Sequence, residues 1–205
     1  MNTQAEMRNI TVLFSDLVGF TKLSGELGPE KISALLNQYL TRMNDVIFEH
    51  GGTVDKFIGD AVMVMFGAPV EMNPKEQAFH ATDCALAMQR EMRIFAEDWQ
   101  SEGVGDLQMR IGIHQGGAVV GNFGSNRRSD YTCIGPAVNM ASRIESVGSP
   151  GEVYISEEIV QYLDAADVTA KGRHSLKGIE EEQLLYSVAR REAGALSHGA
   201  QRWNS

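Results

Sequence analysis

Two aspartates in turn-forming segments are the residues of this sequence whose types and positions point most clearly to chemistry. Asp16 lies in the segment 14–21 (FSDLVGFT) and Asp60 ends the segment 56–60 (KFIGD), and each segment adjoins an apolar run that predicts a buried strand. A carboxylate at the end of a buried strand is unfavourable unless hydrogen bonds or a cation compensate it. Two such carboxylates on neighbouring strands can hold one or two hard divalent ions, as a two-metal phosphoryl-transfer site requires. Taken singly, each aspartate is equally well explained as an ordinary turn residue.

Lys56 is a candidate for a contact with a nucleotide base. Lys56 stands four residues before Asp60 in an otherwise apolar strand, where a buried ammonium group needs a partner and could donate to a base acceptor. An ion pair with Asp55 and a position on an edge strand are the alternatives. Thr132 precedes Cys133, and by composition alone it is an ordinary strand threonine.

Two helical segments carry candidates for sugar and phosphate contacts. Asn139 and Arg143 are spaced to share one face of a predicted helix. In a functional interpretation Arg143 binds phosphate and Asn139 orients a sugar, but spacing alone favours a solvated face on which Arg143 pairs with Glu145 or another acid. The loop after the first strand opens into a helix near Phe20 and Thr21, where backbone N–H groups can hold phosphate oxygens.

Hydrophobic periodicity predicts the elements that must position these residues. In chain order the prediction is a strand, a helix, a hairpin, a second helix, a long strand, a short strand, a third helix and two closing strands: 9–15, 29–50, 53–58 with 61–66, 74–99, 107–114, 131–134, 137–147, 153–155 and 184–188. Asp60 stands at the tip of the hairpin, and a glycine-punctuated turn through 116–124 joins the long strand to the short one. This order predicts an α+β domain over residues 1–189, a mostly antiparallel sheet covered by helices, and a mobile tail over 190–205.

Composition disfavours several classes of function for this chain of 205 residues. It carries 27 acidic and 18 basic residues, a net charge of −9, and no basic stripe, which disfavours nucleic acid as a partner. The longest apolar run, residues 61–68, is too short to cross a bilayer, so we expect no membrane contact from this chain. Only two cysteines are present, which predicts a reducing, cytoplasmic setting. The two commonest nucleotide-binding loop signatures are absent.

Four ordered motifs together resemble the catalytic domain of class III nucleotidyl cyclases, the family of adenylyl and guanylyl cyclases. They are FSDLVGFT at 14–21, VDKFIGDA at 54–61, GIHQG at 112–116 and IGPAVNMASR at 134–143, with LKG at 176–178 as a later match. The resemblance spans about residues 8–189. It implies a ferredoxin-like palm core within the α+β fold, the class III cyclase homology domain.

The resemblance implies metal-binding and base-binding roles for five residues. Asp16 and Asp60, with the Leu17 carbonyl, would bind two Mg²⁺ or Mn²⁺ ions. Lys56 would donate to an adenine ring nitrogen, and Thr132 would accept from the adenine amino group.

The same resemblance implies the sugar and phosphate contacts. Asn139 would orient the ribose, Arg143 would stabilise the transition state, and Lys177 would neutralise the terminal phosphates. Arg127 or Arg128 would assist with phosphate, and the resemblance does not choose between them.

As a whole, the resemblance implies that the chain converts ATP to cyclic AMP and pyrophosphate. Guanylyl cyclases typically have glutamate at the position of Lys56, so the lysine points to ATP. Thr132 resembles the subgroup that includes bacterial and soluble bicarbonate-responsive cyclases, which makes stimulation by bicarbonate a hypothesis. The alternatives are a guanylyl or relaxed-specificity cyclase and a catalytically silent domain that binds nucleotide or bicarbonate and regulates a partner.

The resemblance also implies an assembly. In this family the site lies between two catalytic domains arranged head to tail, with the metal aspartates from one domain and the purine pair, asparagine and arginine from the other. This chain carries both sets, so we expect a homodimer with two equivalent shared sites.

Overall fold

The computed structural model contains both strands and helices and describes residues 5–105, 107–125 and 127–188. The elements are β1 Glu6–Val18, α1 Phe20–Glu26, α2 Pro29–Glu49, β2 Thr53–Ile58, β3 Ala61–Phe66, α3 Pro74–Ser101, β4 Gln108–Ser125, β5 Arg128–Ile134, α4 Pro136–Val147, β6 Val153–Ser156, α5 Glu157–Val160, a 3₁₀ turn Ala165–Asp167, β7 Val168–His174 and β8 Gln183–Val188. The predicted mobile tail, 190–205, lies outside the described residues.

The strands form one sheet in the order β2-β3-β1-β4-β6-β8-β7, and β5 pairs with β4 off this path. Every described pair is antiparallel except β4 with β6, which is parallel. The predicted α+β fold, a mostly antiparallel sheet covered by helices, is confirmed.

Alternation along β1 sorts its side chains onto the two faces of the sheet. Leu13 and Leu17 lie in the larger core, which α2 and α3 cover. Ile10 and Val12 lie in a second core that includes Ala141 of α4. Helix α4 therefore covers the face opposite to α2 and α3.

Helix α4 packs its backbone directly against Gly112 of β4. A Cβ atom on Gly112 would lie 2.2 Å from the backbone nitrogen of Glu145, so no larger residue fits without moving the helix. This contact places the end of α4 directly over the first part of β4 and beside β1.

Two predicted boundaries are wrong, and both errors arise from strand pairing. The prediction that β1 ends at residue 15 fails because β4 pairs with β1 as far as Val18. The segment 116–124, predicted as a turn, belongs to β4, since β1 pairs with it up to Val120 and β5 pairs with the residues that follow.

Candidate active site

Asp16 lies on β1, and its carboxylate is held by Arg110 of β4. The two residues are directly opposite in the antiparallel register. Arg110 donates from Nε to Oδ1 and from Nη2 to Oδ2 of Asp16, both at 2.9 Å. Such a bidentate pair fixes the orientation of a carboxylate. Asp16 is thus positioned within a strand and by a side-chain contact, which corrects its predicted place in a turn.

Asp60 follows Gly59 at the tip of the β2–β3 hairpin, as predicted, and its carboxylate reaches back to β1. Gly59 has φ 63°, a left-handed conformation that glycine adopts without strain. Oδ2 of Asp60 accepts from the backbone N–H of Leu17 at 2.9 Å. Burial raises the pKa of Asp60, the Leu17 N–H opposes this rise, and the charge of Asp16 adds to it. The two carboxylates therefore lie close enough to repel each other.

The carboxylate oxygens of Asp16 and Asp60, close to Leu17, fit a hard divalent cation. A phosphorylated substrate would supply the remaining ligands of such a cation. Asp16 and Asp60 supply carboxylate oxygens, and Mg²⁺ is usually held by one or two carboxylates together with substrate phosphates. Within residues 5–105, 107–125 and 127–188, no group of three or more His, Cys, Asp or Glu is arranged to hold a metal. The described chain thus fits a site shared with substrate and offers no cage made of such side chains alone.

Glu145 of α4 completes a charge cluster around Arg110, and sequence reasoning missed both residues. Arg110 Nε lies 2.8 Å from Glu145 Oε1, and Nη1 donates to the Ser146 carbonyl at 3.2 Å. One guanidinium therefore ties Asp16 on β1 to the end of α4. In the described part of the chain Glu145 pairs with Arg110 and not with Arg143, so the alternative in which Arg143 pairs with Glu145 is not observed. The sequence signal that could have revealed this cluster was Arg110 at a polar position of an alternating strand. Its partners lie far away in sequence, so the local pattern does not indicate them.

Glu145 makes the stability of the metal-free domain depend on pH. The pKa of Glu145 is raised from 4.5 to about 8, first by burial and then by the neighbouring Asp16, while Arg110 opposes the rise. A carboxyl whose pKa is raised by folding contributes stability at low pH that is lost as the pH rises through the folded value. We therefore expect Glu145→Gln, which does not titrate, to gain stability relative to wild type between pH 4.5 and about 8. Thermal unfolding of both proteins across this range checks the expectation, and parallel curves would contradict it.

Lys56 and Thr132 come together through Asp55. Lys56 Nζ lies 3.3 Å from Asp55 Oδ1, and Thr132 Oγ1 donates to Asp55 Oδ2 at 2.5 Å. The Lys56 side chain is 47% exposed, so the interpretation of Lys56 as a buried lysine is wrong, and the alternative of an ion pair with Asp55 is confirmed. The two residues predicted to contact the purine are thus gathered by one carboxylate that the site prediction omitted.

Asn139 and Arg143 lie one turn apart on α4, as predicted. Gly135, with φ 143°, and Pro136 begin the helix, because proline suits the first helical turn. Asn139 is exposed and Arg143 is partly exposed, while Ala141 between them is buried against the sheet. The helix therefore presents polar side chains away from its core contacts.

The other candidates for phosphate contacts lie at a loop and at a helix start. Lys177 is exposed between β7 and β8, next to Leu176, which packs in one cluster with Ile144 of α4. Phe20 and Thr21 begin α1 after a glycine with φ 90°, and no side chain caps the helix there. The first-turn N–H groups of α1 therefore have no capping side chain.

The candidates form three groups in a single chain. They are the metal group Asp16, Leu17 and Asp60, the purine group Asp55, Lys56 and Thr132, and the ribose-phosphate group Asn139, Arg143 and Lys177. Across residues 5–105, 107–125 and 127–188, no hydrogen bond or ion pair joins one of these groups to another. Arg127 and Arg128 are both exposed, so the structure does not choose between them.

Comparison with known proteins shows the class to which this fold and these residues belong. The family model described as the adenylate and guanylate cyclase catalytic domain matches residues 3–190. The chain belongs to this family, and the predicted resemblance is confirmed. Class III cyclases use divalent metal ions such as Mg²⁺ or Mn²⁺.

Two curated relatives are adenylate cyclases. The chain is 34% identical to adenylate cyclase 1 of Rhizobium meliloti over 197 residues, which cover 91% of this chain and 29% of that protein. It is 36% identical to the adenylate cyclase of Anabaena cylindrica over 194 residues, which cover 90% of this chain and 37% of that protein. The chain therefore spans about a third of the length of these relatives.

Two solved structures share the fold at similar identity. The adenylyl cyclase CyaB from P. aeruginosa is 39% identical with a TM-score of 0.88, covering 93% of this chain and 98% of that chain. The guanylyl cyclase Cya2 is 36% identical with a TM-score of 0.85, covering 94% of this chain and 97% of that chain.

In the described residues of our chain, no helix is both long and apolar enough to span a membrane.

Proposed function

We propose that this chain converts ATP to 3′,5′-cyclic AMP and pyrophosphate. The observation that carries the proposal is the metal group, two carboxylates on either side of Leu17 in a chain that the cyclase family matches over residues 3–190. In the proposed reaction the 3′-oxygen of ATP attacks its own α-phosphorus in line, the bond to pyrophosphate breaks, and the hydroxyl proton is released. The protein therefore has mainly to position groups and offset charge.

The metal group would hold two Mg²⁺ or Mn²⁺ ions through Asp16, Asp60 and the Leu17 carbonyl. When bound, these ions would lower the pKa of the 3′-hydroxyl and offset the charge of the triphosphate. Two contacts prepare the carboxylates for this role: Arg110 orients Asp16, and the Leu17 N–H holds Asp60.

The purine group would select the base. Lys56 would donate to the adenine ring nitrogen and Thr132 would accept from the adenine amino group. The adenylate cyclases of Rhizobium meliloti and Anabaena cylindrica support ATP as the substrate. The likeness to the guanylyl cyclase Cya2 supports the alternative of a guanylyl or relaxed-specificity cyclase.

The ribose-phosphate group would act on the reacting centre and the leaving group. Asn139 would orient the ribose, Arg143 would stabilise charge that develops at the α-phosphate, and Lys177 would bind the terminal phosphates. The first-turn N–H groups at Phe20 and Thr21 would add donors for phosphate oxygens.

The active form would be a homodimer with two shared sites. Among the described residues of one chain no hydrogen bond or ion pair joins the metal group to the purine or ribose-phosphate group, which supports a site completed by a second copy. A head-to-tail pair with two-fold symmetry would present the metal group of each chain to the other two groups of its partner.

The test of the proposed function is an assay of the purified chain with Mn²⁺ and either ATP or GTP, with Asp16→Ala as the inactive control. We expect cyclic AMP from ATP, a lower rate with GTP, and no product from the control. Equal rates with both nucleotides would favour the relaxed-specificity alternative. Nucleotide binding without turnover would favour the catalytically silent domain.

Stimulation by bicarbonate is a separate part of the proposal, which rests on the presence of Thr132. It predicts higher turnover of ATP when bicarbonate is added at constant pH and ionic strength. Chloride at the same concentration is the control, and equal turnover in both salts would reject the effect.

A further inference from the structure

Asp55 is a buried carboxylate that bridges two strands with no mutual backbone pairing in the sheet. Its side chain is 1% exposed, and it lies on β2, which pairs with β3, whereas Thr132 lies on β5, which pairs with β4. The β2–β3 register shifts between Val54 and Lys56, so Asp55 is the extra residue of a β-bulge. A bulge re-aims a side chain, and here the side chain of Asp55 points to β5.

All contacts described for the Asp55 carboxylate are with donors. Oδ1 lies 3.3 Å from Lys56 Nζ. Oδ2 accepts from Thr132 Oγ1 at 2.5 Å, from the Cys133 backbone N–H at 3.3 Å, and from Cys133 Sγ at 3.9 Å. An ionised carboxylate accepts hydrogen bonds and donates none. The hydroxyl hydrogen of Thr132 is therefore committed to Asp55.

The hydrogen bond to Asp55 determines whether the Thr132 hydroxyl can donate to a ligand or only accept from it. A hydroxyl has one hydrogen and two lone pairs, and it normally rotates to suit its partner. With its hydrogen on Asp55, Thr132 has only lone pairs left and acts as an acceptor. The ammonium group of Lys56 can only donate. Because of Asp55, the purine group presents Lys56 as a donor beside Thr132 as an acceptor, and these roles cannot be exchanged.

We propose that Asp55 is a specificity-determining residue, which excludes guanine by forcing Thr132 to act only as an acceptor. The inference rests on the proposed function, because it concerns how the purine group reads its base. Adenine presents a ring-nitrogen acceptor beside an amino donor, and this edge matches Lys56 and Thr132. Guanine presents a ring N–H donor beside a carbonyl acceptor, so each contact would pair like with like. Without Asp55 the Thr132 hydroxyl can rotate and donate to the guanine carbonyl.

The test compares kcat/KM for ATP and for GTP in wild type and Asp55→Ala. We expect the ATP-to-GTP ratio to fall by at least about tenfold, the scale of one hydrogen bond made or lost at a buried polar contact. The fall should include a rise in kcat/KM for GTP, which a loss of structural support alone would not produce. The ratio is measured within one protein, so it does not depend on the folded fraction of the variant. Asp55→Asn, whose amide can donate as well as accept, should lower the ratio in the same direction with less change in packing.

Two further variants separate the effect on Thr132 from an effect on Lys56. In a Thr132→Val background, Asp55→Ala should change the ratio by no more than about twofold, because the hydroxyl it acts through is absent. A tenfold change in that background would show that Asp55 acts through Lys56 and would overturn the inference. Glu152→Ala is the matched control, since it removes a carboxylate held 2.9 Å from Lys171 on another part of the sheet. It should leave the ratio unchanged.

The outcomes distinguish this inference from the proposed function. Wild-type chain that makes no cyclic product from either nucleotide would reject the proposed function, and the role of Asp55 with it. Wild-type chain that cyclises ATP, together with an unchanged ratio in Asp55→Ala and Asp55→Asn, would reject the role of Asp55 alone.

Discussion

Arg143→Ala is expected to lower turnover of ATP by at least about a hundredfold, in the range typical for removal of one charge-stabilising donor. The affinity for ATP should change much less, because the proposed contact forms with charge that develops in the transition state. Arg143 is partly exposed on α4, and across the described residues no hydrogen bond or ion pair holds its side chain, so the substitution should leave the fold intact. Steady-state kcat and KM with Mn²⁺ and ATP, together with calorimetric nucleotide binding, provide the measurement.

A matched control for this substitution is Arg93→Ala. Arg93 is an exposed arginine on α3, which covers the opposite face of the sheet. The Arg93→Ala substitution removes the same charge from the chain as Arg143→Ala and should leave turnover unchanged. Equal turnover in Arg143→Ala and wild type would reject the proposed role of Arg143.

The second large effect is the recovery of activity when two inactive variants are mixed. Asp16→Ala lacks a proposed metal ligand and Arg143→Ala lacks the proposed transition-state donor, so each homodimer should be nearly inactive. In a mixed dimer one site combines Asp16 of one chain with Arg143 of the other and is intact. Random pairing of equal amounts makes half of the dimers mixed, each with one working site of two, so roughly a quarter of wild-type activity should return.

The mixing experiment has its own control. Asp16→Ala mixed with Asp60→Ala removes the metal group from both chains, so no combination restores a site and activity should stay absent. Activity that fails to return in the first mixture, although native mass spectrometry shows mixed dimers, would argue against shared sites.

Local sequence signals predicted the elements that depend on near neighbours in the chain. Gly59 and Asp60 marked the hairpin tip correctly because a turn is specified by a few adjacent residues. Helix α4 was predicted from periodicity, and it places Asn139 and Arg143 one turn apart as the spacing requires. The motifs were sufficient to identify the family, since their order along the chain is itself a signal.

Features that depend on distant pairing were not predictable from local pattern. The lengths of β1 and β4 are set by their mutual register and by the pairing of β4 with β5, which together carry β4 through the four glycines of 116–124 that were predicted to form a turn. Arg110 and Asp55 were missed for the same reason. Their partners Asp16 and Thr132 lie 94 and 77 residues away along the chain. Lys56 was misread as buried because the apolar residues around it suggested a covered strand, whereas its side chain is 47% exposed.

Cyclisation of ATP with the help of the metal group is the central proposal for this chain. The most direct measurement is phosphorus NMR of the purified chain with Mg²⁺ and ATP, which identifies every phosphorus-containing product. We predict cyclic AMP and pyrophosphate in equal amounts, and no reaction with Asp60→Ala. Formation of ADP and phosphate, or the same product yield from Asp60→Ala as from wild type, would contradict the account.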